Sequence, residues 1–154
     1  MQNKPPYFLM VILVLMGLAL VACQTTGAPD ITVENAWGRP SPKAATAGVF
    51  YMTLKNKGGE PDQLVSARSD SCRVVELHES YDMGDGVMGM RPVEGGFIEI
   101  PAKGQVELKM GGLHIMCIEK LDDFQAGAVL NVTLSFEKSG EQTVEVEIRQ
   151  PNME

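Results

Sequence analysis

Val129-Leu-Asn-Val-Thr-Leu-Ser-Phe-Glu-Lys-Ser-Gly-Glu-Gln-Thr-Val-Glu-Val-Glu-Ile148 alternates apolar and polar residues on both sides of Lys138-Ser-Gly-Glu141, and this stretch decides the fold. A period of two puts one side of an extended chain in a core and the other in water. A short glycine-bearing turn between two such runs reads as a β-hairpin. Working outward, the same pattern recurs at 48–55, 73–78, 87–92, 96–100, 105–110 and 113–118, each run bounded by Gly, Pro, Asn or Asp. The segment 124–128 is too short to assign, and no stretch after Ile31 carries a sustained helical period. Seven to nine short strands at roughly 8–12-residue spacing predict an all-β fold, an antiparallel β-sandwich.

Ahead of these strands, residues 8–22 form an unbroken apolar run of fifteen residues, preceded by a single Lys4 and followed by Cys23. The run is shorter than the ~20 residues that span a bilayer and has the flanks of a secretory leader. Leu20-Val21-Ala22-Cys23 resembles a bacterial lipobox, in which small residues precede a cysteine that is lipidated and becomes the first residue. That resemblance implies a signal peptide at 1–22, a lipid on Cys23, and a protein anchored in the bacterial cell envelope and facing the periplasm. The alternative is an uncleaved N-terminal anchor with Cys23 unmodified. Gln24 to Asp30 is small, polar and turn-prone, so 23–30 reads as a tether, 31–150 as one domain and 151–154 as a tail.

The chain has 13 basic and 20 acidic residues, a net charge of −7 that becomes −8 once Lys4 leaves with the leader, and no block of like charge. A nucleic-acid binder, which must neutralise phosphates, is thereby excluded. Two histidines leave little room for a multi-zinc protein. No Ser-His-Asp spacing, glycine-rich phosphate loop or paired carboxylates can be defended, so no enzyme activity is expected. What stands out is ten methionines, and both histidines lie near some of them. His78 precedes Met83, Met88 and Met90, while His114 and Met116 are two apart on an expected strand and share a face, as Met88 and Met90 do. Thioether sulfur selects Cu(I), and imidazole accepts copper in either oxidation state, so Cu(I) is preferred with Cu(II) open. Thioether also carries no proton and cannot be lost to a disulfide where cysteines oxidise. On residue type and spacing the bland reading stays open beside this one: methionines as core filler, histidines as surface residues.

These residues resemble the periplasmic copper chaperones of the PCuAC family, whose pattern is a His, ten residues, a Met, twenty-one residues, a His, one residue and a Met. The likeness rests on Val33-Glu-Asn-Ala-Trp-Gly-Arg39, Val75-Glu-Leu-His78, Val87-Met-Gly-Met-Arg-Pro92 and Gly111-Gly-Leu-His-Ile-Met116. Here the gaps are eleven, twenty-three and one through Met90, or nine and twenty-five through Met88. Met90 is the better match, with Met88 as a substitute or additional ligand. The resemblance implies a cupredoxin-like antiparallel sandwich with Greek-key connections, a monomer, and one Cu(I) held by His78, Met90, His114 and Met116. It further implies delivery to a copper-accepting protein, such as a cytochrome oxidase subunit or another copper chaperone. Copper sequestration or resistance is the alternative. A cupredoxin-type electron carrier is a further one, against which stands the lack of Cys, His and Met grouped on one ligand loop.

Cys72 and Cys117 depart from that family, which usually has apolar residues there. Strand parity puts Cys117 on the face opposite His114 and Met116. A Cys72–Cys117 disulfide is the preferred reading; two buried thiols, or copper ligation by Cys117, are the alternatives. Trp37 reads as a core or rim aromatic, and Glu76 and Glu79 as solvated neighbours of His78.

Overall fold

The structure, a computed structural model, describes residues 27–122 and 124–151. Cys23, the leader and most of the tether therefore lie outside the described residues. Ten strands follow in order: β1 (Ile31–Arg39), β2 (Ala47–Asn56), β3 (Asp62–Arg68), β4 (Cys72–Asp82), β5 (Met88–Pro92), β6 (Ile98–Ile100), β7 (Gln105–Leu108), β8 (Leu113–Lys120), β9 (Val129–Phe136) and β10 (Gly140–Ile148). A 3-10 turn at Glu94–Gly96 precedes β6, and no α-helix is present among the described residues. No helix there is long and apolar enough to cross a membrane.

The strands form one hydrogen-bonded path, β5-β4-β8-β2-β1-β10-β9-β3-β6, with β7 paired to the second half of β2. Its two halves face each other across one core. Leu77 of β4, Phe50 and Leu54 of β2, and Ile115 and Cys117 of β8 meet Val132 and Leu134 of β9, Val146 and Ile148 of β10, and Leu64 of β3. Burying each of the larger apolar side chains contributes about 1.5–3 kcal/mol. The β9–β10 hairpin pairs Phe136 with Gly140 and Val132 with Val144, and its alternation becomes inside and outside as expected. Buried Asp62 fixes that turn to β3 by accepting from the backbone amides of Lys138 (2.9 Å) and Ser139 (3.0 Å) and from the Ser139 hydroxyl.

Three features differ from the sequence expectation. Two strands, β1 and β3, were not expected, and both carry a register shift, between Glu34 and Trp37 and between Leu64 and Ser66. A bulge breaks the two-residue period on which strand recognition depends. Second, β1 and β10 run parallel, so the sheet is mixed, although every other pairing is antiparallel. Beyond its bulge, where Asn35 takes φ 53°, β1 lies between β2 and β10 and joins the two layers. Third, β4 runs four residues past His78 to Asp82, because β5 pairs along that extension. The segment 124–128 forms no strand; instead Phe124 enters the core against Phe50, with ring centroids 5.3 Å apart.

Candidate metal centre

His78 lies in the middle of β4, and its direct cross-strand partner on β8 is His114. The fold thus brings together the two histidines of the sequence, thirty-six positions apart. Alternation sends Leu77 and Ile115 into the core and turns both imidazoles to the outer face. Met116 stands two residues beyond His114 on that face, opposite Glu76. Met90 pairs with Ser80 and Met88 with Asp82, so both methionines project from the same face one strand farther out. They are 57% and 55% exposed, whereas Met116 is half-buried. Met83, at the start of the β4–β5 turn, packs its sulfur over Gly89 and is not part of this set.

His114 is only 2% exposed although it faces outward, because aromatic rings cover it. Tyr51 of β2 lies 6.5 Å away between ring centroids, Trp37 of β1 stacks on Tyr51 at 4.7 Å, and Arg149 lies over Trp37 at 5.1 Å. Trp37 is therefore a rim aromatic, as expected, while the part of Tyr51 was not foreseen. Burial pushes the Tyr51 hydroxyl above its ordinary value of 10.0, with Arg39 opposing. Burial likewise pushes His114 below its ordinary 6.5 and His78 adds to that, while the Gly112 hydrogen bond opposes them; the ring stays neutral near pH 7.

Each imidazole has one nitrogen anchored. His114 Nδ1 donates to the Gly112 carbonyl at 2.9 Å. The β7–β8 turn delivers that carbonyl, and Gly111 in this turn adopts φ 74°, a conformation costly for any residue with a Cβ. His78 Nε2 donates to the Glu76 carboxylate at 2.8 Å, which corrects the reading of Glu76 as a solvated neighbour. The signal was available, since residues two apart on a strand share a face. The remaining nitrogens, His78 Nδ1 and His114 Nε2, are buried without a hydrogen-bond partner. Such atoms cost about 1–3 kcal/mol each unless something occupies them.

A metal ion fits that vacancy of partners. With metal–imidazole bonds of about 2 Å, two rings sharing an ion have centroids separated by roughly 5–6.5 Å. The His78 and His114 centroids are 5.9 Å apart, edge to face. Among the described residues no three His, Cys, Asp or Glu side chains are grouped to hold a metal, and the soft donors on this face are the thioethers of Met116, Met90 and Met88. Two imidazoles supplemented by thioether make a soft site, suited to Cu(I) rather than to zinc or hard cations.

Residues 31–148 match the sequence profile of the LpqE-like lipoproteins. The chain belongs to the LpqE-like family. A relative in Leifsonia xyli subsp. xyli, "Putative lipoprotein Lxx21020", is 30% identical over 144 residues, spanning 90% of this chain and 84% of its own. Among solved structures, this LpqE-like chain resembles "CuI-DR1885" from Deinococcus radiodurans, with 27% identity, TM-score 0.64, and 89% and 88% of the two chains covered. It also shares the fold of the "Copper-bound PCuAC domain from PmoF2", with 24% identity, TM-score 0.64, and 80% and 96% covered. The cupredoxin-like PCuAC fold anticipated from the sequence is thus the fold of this LpqE-like domain.

The cysteines distinguish copper chemistries. Cys72 and Cys117 are joined by a disulfide, with Cα atoms 5.5 Å apart, on the core side of β4 and β8. Neither of the two alternatives, free thiols or a copper-ligating Cys117, survives that pairing. A blue-copper site needs a thiolate. Within the described part of this LpqE-like chain both cysteines are committed to each other, which leaves nitrogen and thioether as the available donors.

Proposed function

We propose that this domain is an envelope copper chaperone that binds one Cu(I) through His78, His114, Met116 and Met90 and passes it to a copper-accepting protein. The observation that carries the reading is the pair of cross-strand imidazoles, each held by one nitrogen and each with the other nitrogen buried and unpartnered. The copper-bound relatives of the same fold support it. So does the donor set, which suits Cu(I) better than any other common cation. Met88 and Met90, exposed beside buried His114 and partly buried His78, supply neutral sulfurs that an incoming thiolate or imidazole can replace one at a time. A respiratory oxidase subunit is the recipient proposed here, reached by a domain tethered to the membrane through lipid on Cys23.

Cu(I) titration against a competing chelator tests the reading. One equivalent is expected to bind the wild type, and binding is expected to collapse in H114A and weaken in M116A. Equal affinity in all three proteins would overturn it. In a deletion strain, oxidase assembly is expected to fail at low copper and recover when copper is supplied. Unimpaired assembly together with copper hypersensitivity would favour sequestration over delivery.

A further inference from the structure

We propose that Glu76 is a positioning residue that commits His78 to bind copper through Nδ1, while His114 binds through Nε2. This assignment rests on the copper reading above and names the atoms that reading leaves open. A carbonyl oxygen can only accept, so Nδ1 of His114 carries the proton and Nε2 the lone pair. By the same argument, the Glu76 carboxylate fixes the proton of His78 on Nε2 and leaves the lone pair on Nδ1. The nitrogens these two acceptors leave free are the two that are buried without partners. Two anchors of opposite sense therefore leave one lone pair on each ring, at a different ring position, on cross-strand imidazoles whose centroids are 5.9 Å apart.

The two anchors differ in kind. Gly112 is backbone held by the β7–β8 turn, and its carbonyl also accepts from the Ser80 amide at 3.1 Å, so no side-chain substitution removes it. Glu76 is a side chain, 41% exposed, lying on the same face of the same strand as His78. Histidine χ2 is broad and nearly two-fold, so without that carboxylate the ring can turn over and exchange Nδ1 for Nε2. A carboxylate on the far nitrogen also makes the metal-facing nitrogen more basic, and outer partners of this type are worth about 10–100-fold in metal affinity.

Imidazole nitrogen NMR on the full chain tests this, since the sequence contains only two histidines and H114A assigns the rings. Apo wild type is expected to show the Nε2–H form for His78 and the Nδ1–H form for His114. Cu(I) addition is expected to move His78 Nδ1 and His114 Nε2. In E76A, the His78 signal is expected to become a mixture of forms and Cu(I) affinity to fall about 10–100-fold. E76Q, whose amide oxygen still accepts, is expected to keep the Nε2–H form and lose less than about tenfold. Normal Cu(I) binding with an unchanged His78 form in E76A would sink the role of Glu76 alone. So would a Cu(I)-induced shift at His78 Nε2. Wild type that binds no Cu(I), with the E76A change of form intact, would sink the copper reading and the ligand assignment with it.

Discussion

Opening the Cys72–Cys117 bridge should cost a large share of the margin on which this domain stands. The two cysteines are 45 positions apart, and the bridge closes a loop containing β5, β6, β7 and most of β4 and β8. Releasing a loop of that length gives the unfolded chain about 13 cal/mol/K, or about 4 kcal/mol at 25 °C, in the chain-entropy treatment. Domains of this size hold roughly 5–15 kcal/mol in total. A C72A/C117A variant should therefore fold but unfold at a clearly lower urea midpoint, with a slope equal to or steeper than the wild type's because its unfolded chain, freed of the bridge, exposes more surface. Reductant should move the wild-type curve toward the variant and leave the variant where it is. The bridge lies directly behind the ligands, with Val75 opposite Cys117 and Glu76 opposite Met116, so Cu(I) should recover part of the loss by binding only the folded state. Urea curves for the two proteins within about 1 kcal/mol of each other would refute the reasoning.

Other outcomes follow from particular residues. Asp62 is buried; burial would raise its pKa, but the Ser139 hydroxyl and the amides of Lys138, Gln63 and Ser139 outweigh this and hold it below its ordinary 3.8. Its contribution is therefore present above about pH 4 and is lost as pH falls through the folded value; D62N should be destabilised at pH 7 by about 1–3 kcal/mol and converge with wild type in acid urea titrations. Burial lowers His114, so protons should begin to compete for it only below the ordinary 6.5, and its ring nitrogens followed by NMR in the apo protein should keep the neutral form from pH 8 down to that range. G48A places a methyl group into the Phe124 ring and should cost about 1–3 kcal/mol in a thermal melt. M116L and M90L should each weaken Cu(I) binding about tenfold or more, roughly 1.4 kcal/mol, with M88L alone changing it less.

Much of the architecture was legible because apolar residues on two-residue spacing need no knowledge of partners: 129–148 reads as a hairpin and folds as one. The two strands that escaped, β1 and β3, are those where a bulge resets the alternation. The parallel pairing of β1 with β10 joins opposite ends of the domain, and no local pattern encodes it. At the site, the identity of the candidate ligands could be read, since two histidines among methionines leave few choices. Their register could not. That His78 faces His114, rather than a neighbour two positions away, depends on the alignment of β4 with β8, which the Cys72–Cys117 bridge and the β7–β8 turn help to set. Glu76 was misread for a related reason, because a carboxylate beside a histidine acquires meaning only when the ring is buried and one nitrogen needs an acceptor.

The ladder that aligns His78 with His114 also makes copper uptake a proof of correct threading. A chain whose β4 slipped by one residue against β8 would carry one imidazole on each side of the sheet, one of them inside the core. Such a molecule could keep most of its strand content and still offer no two-nitrogen seat to an ion. Metal loading would thus sort well-threaded copies from near misses, and the sulfur bridge between the same two strands makes the accepted alignment covalent.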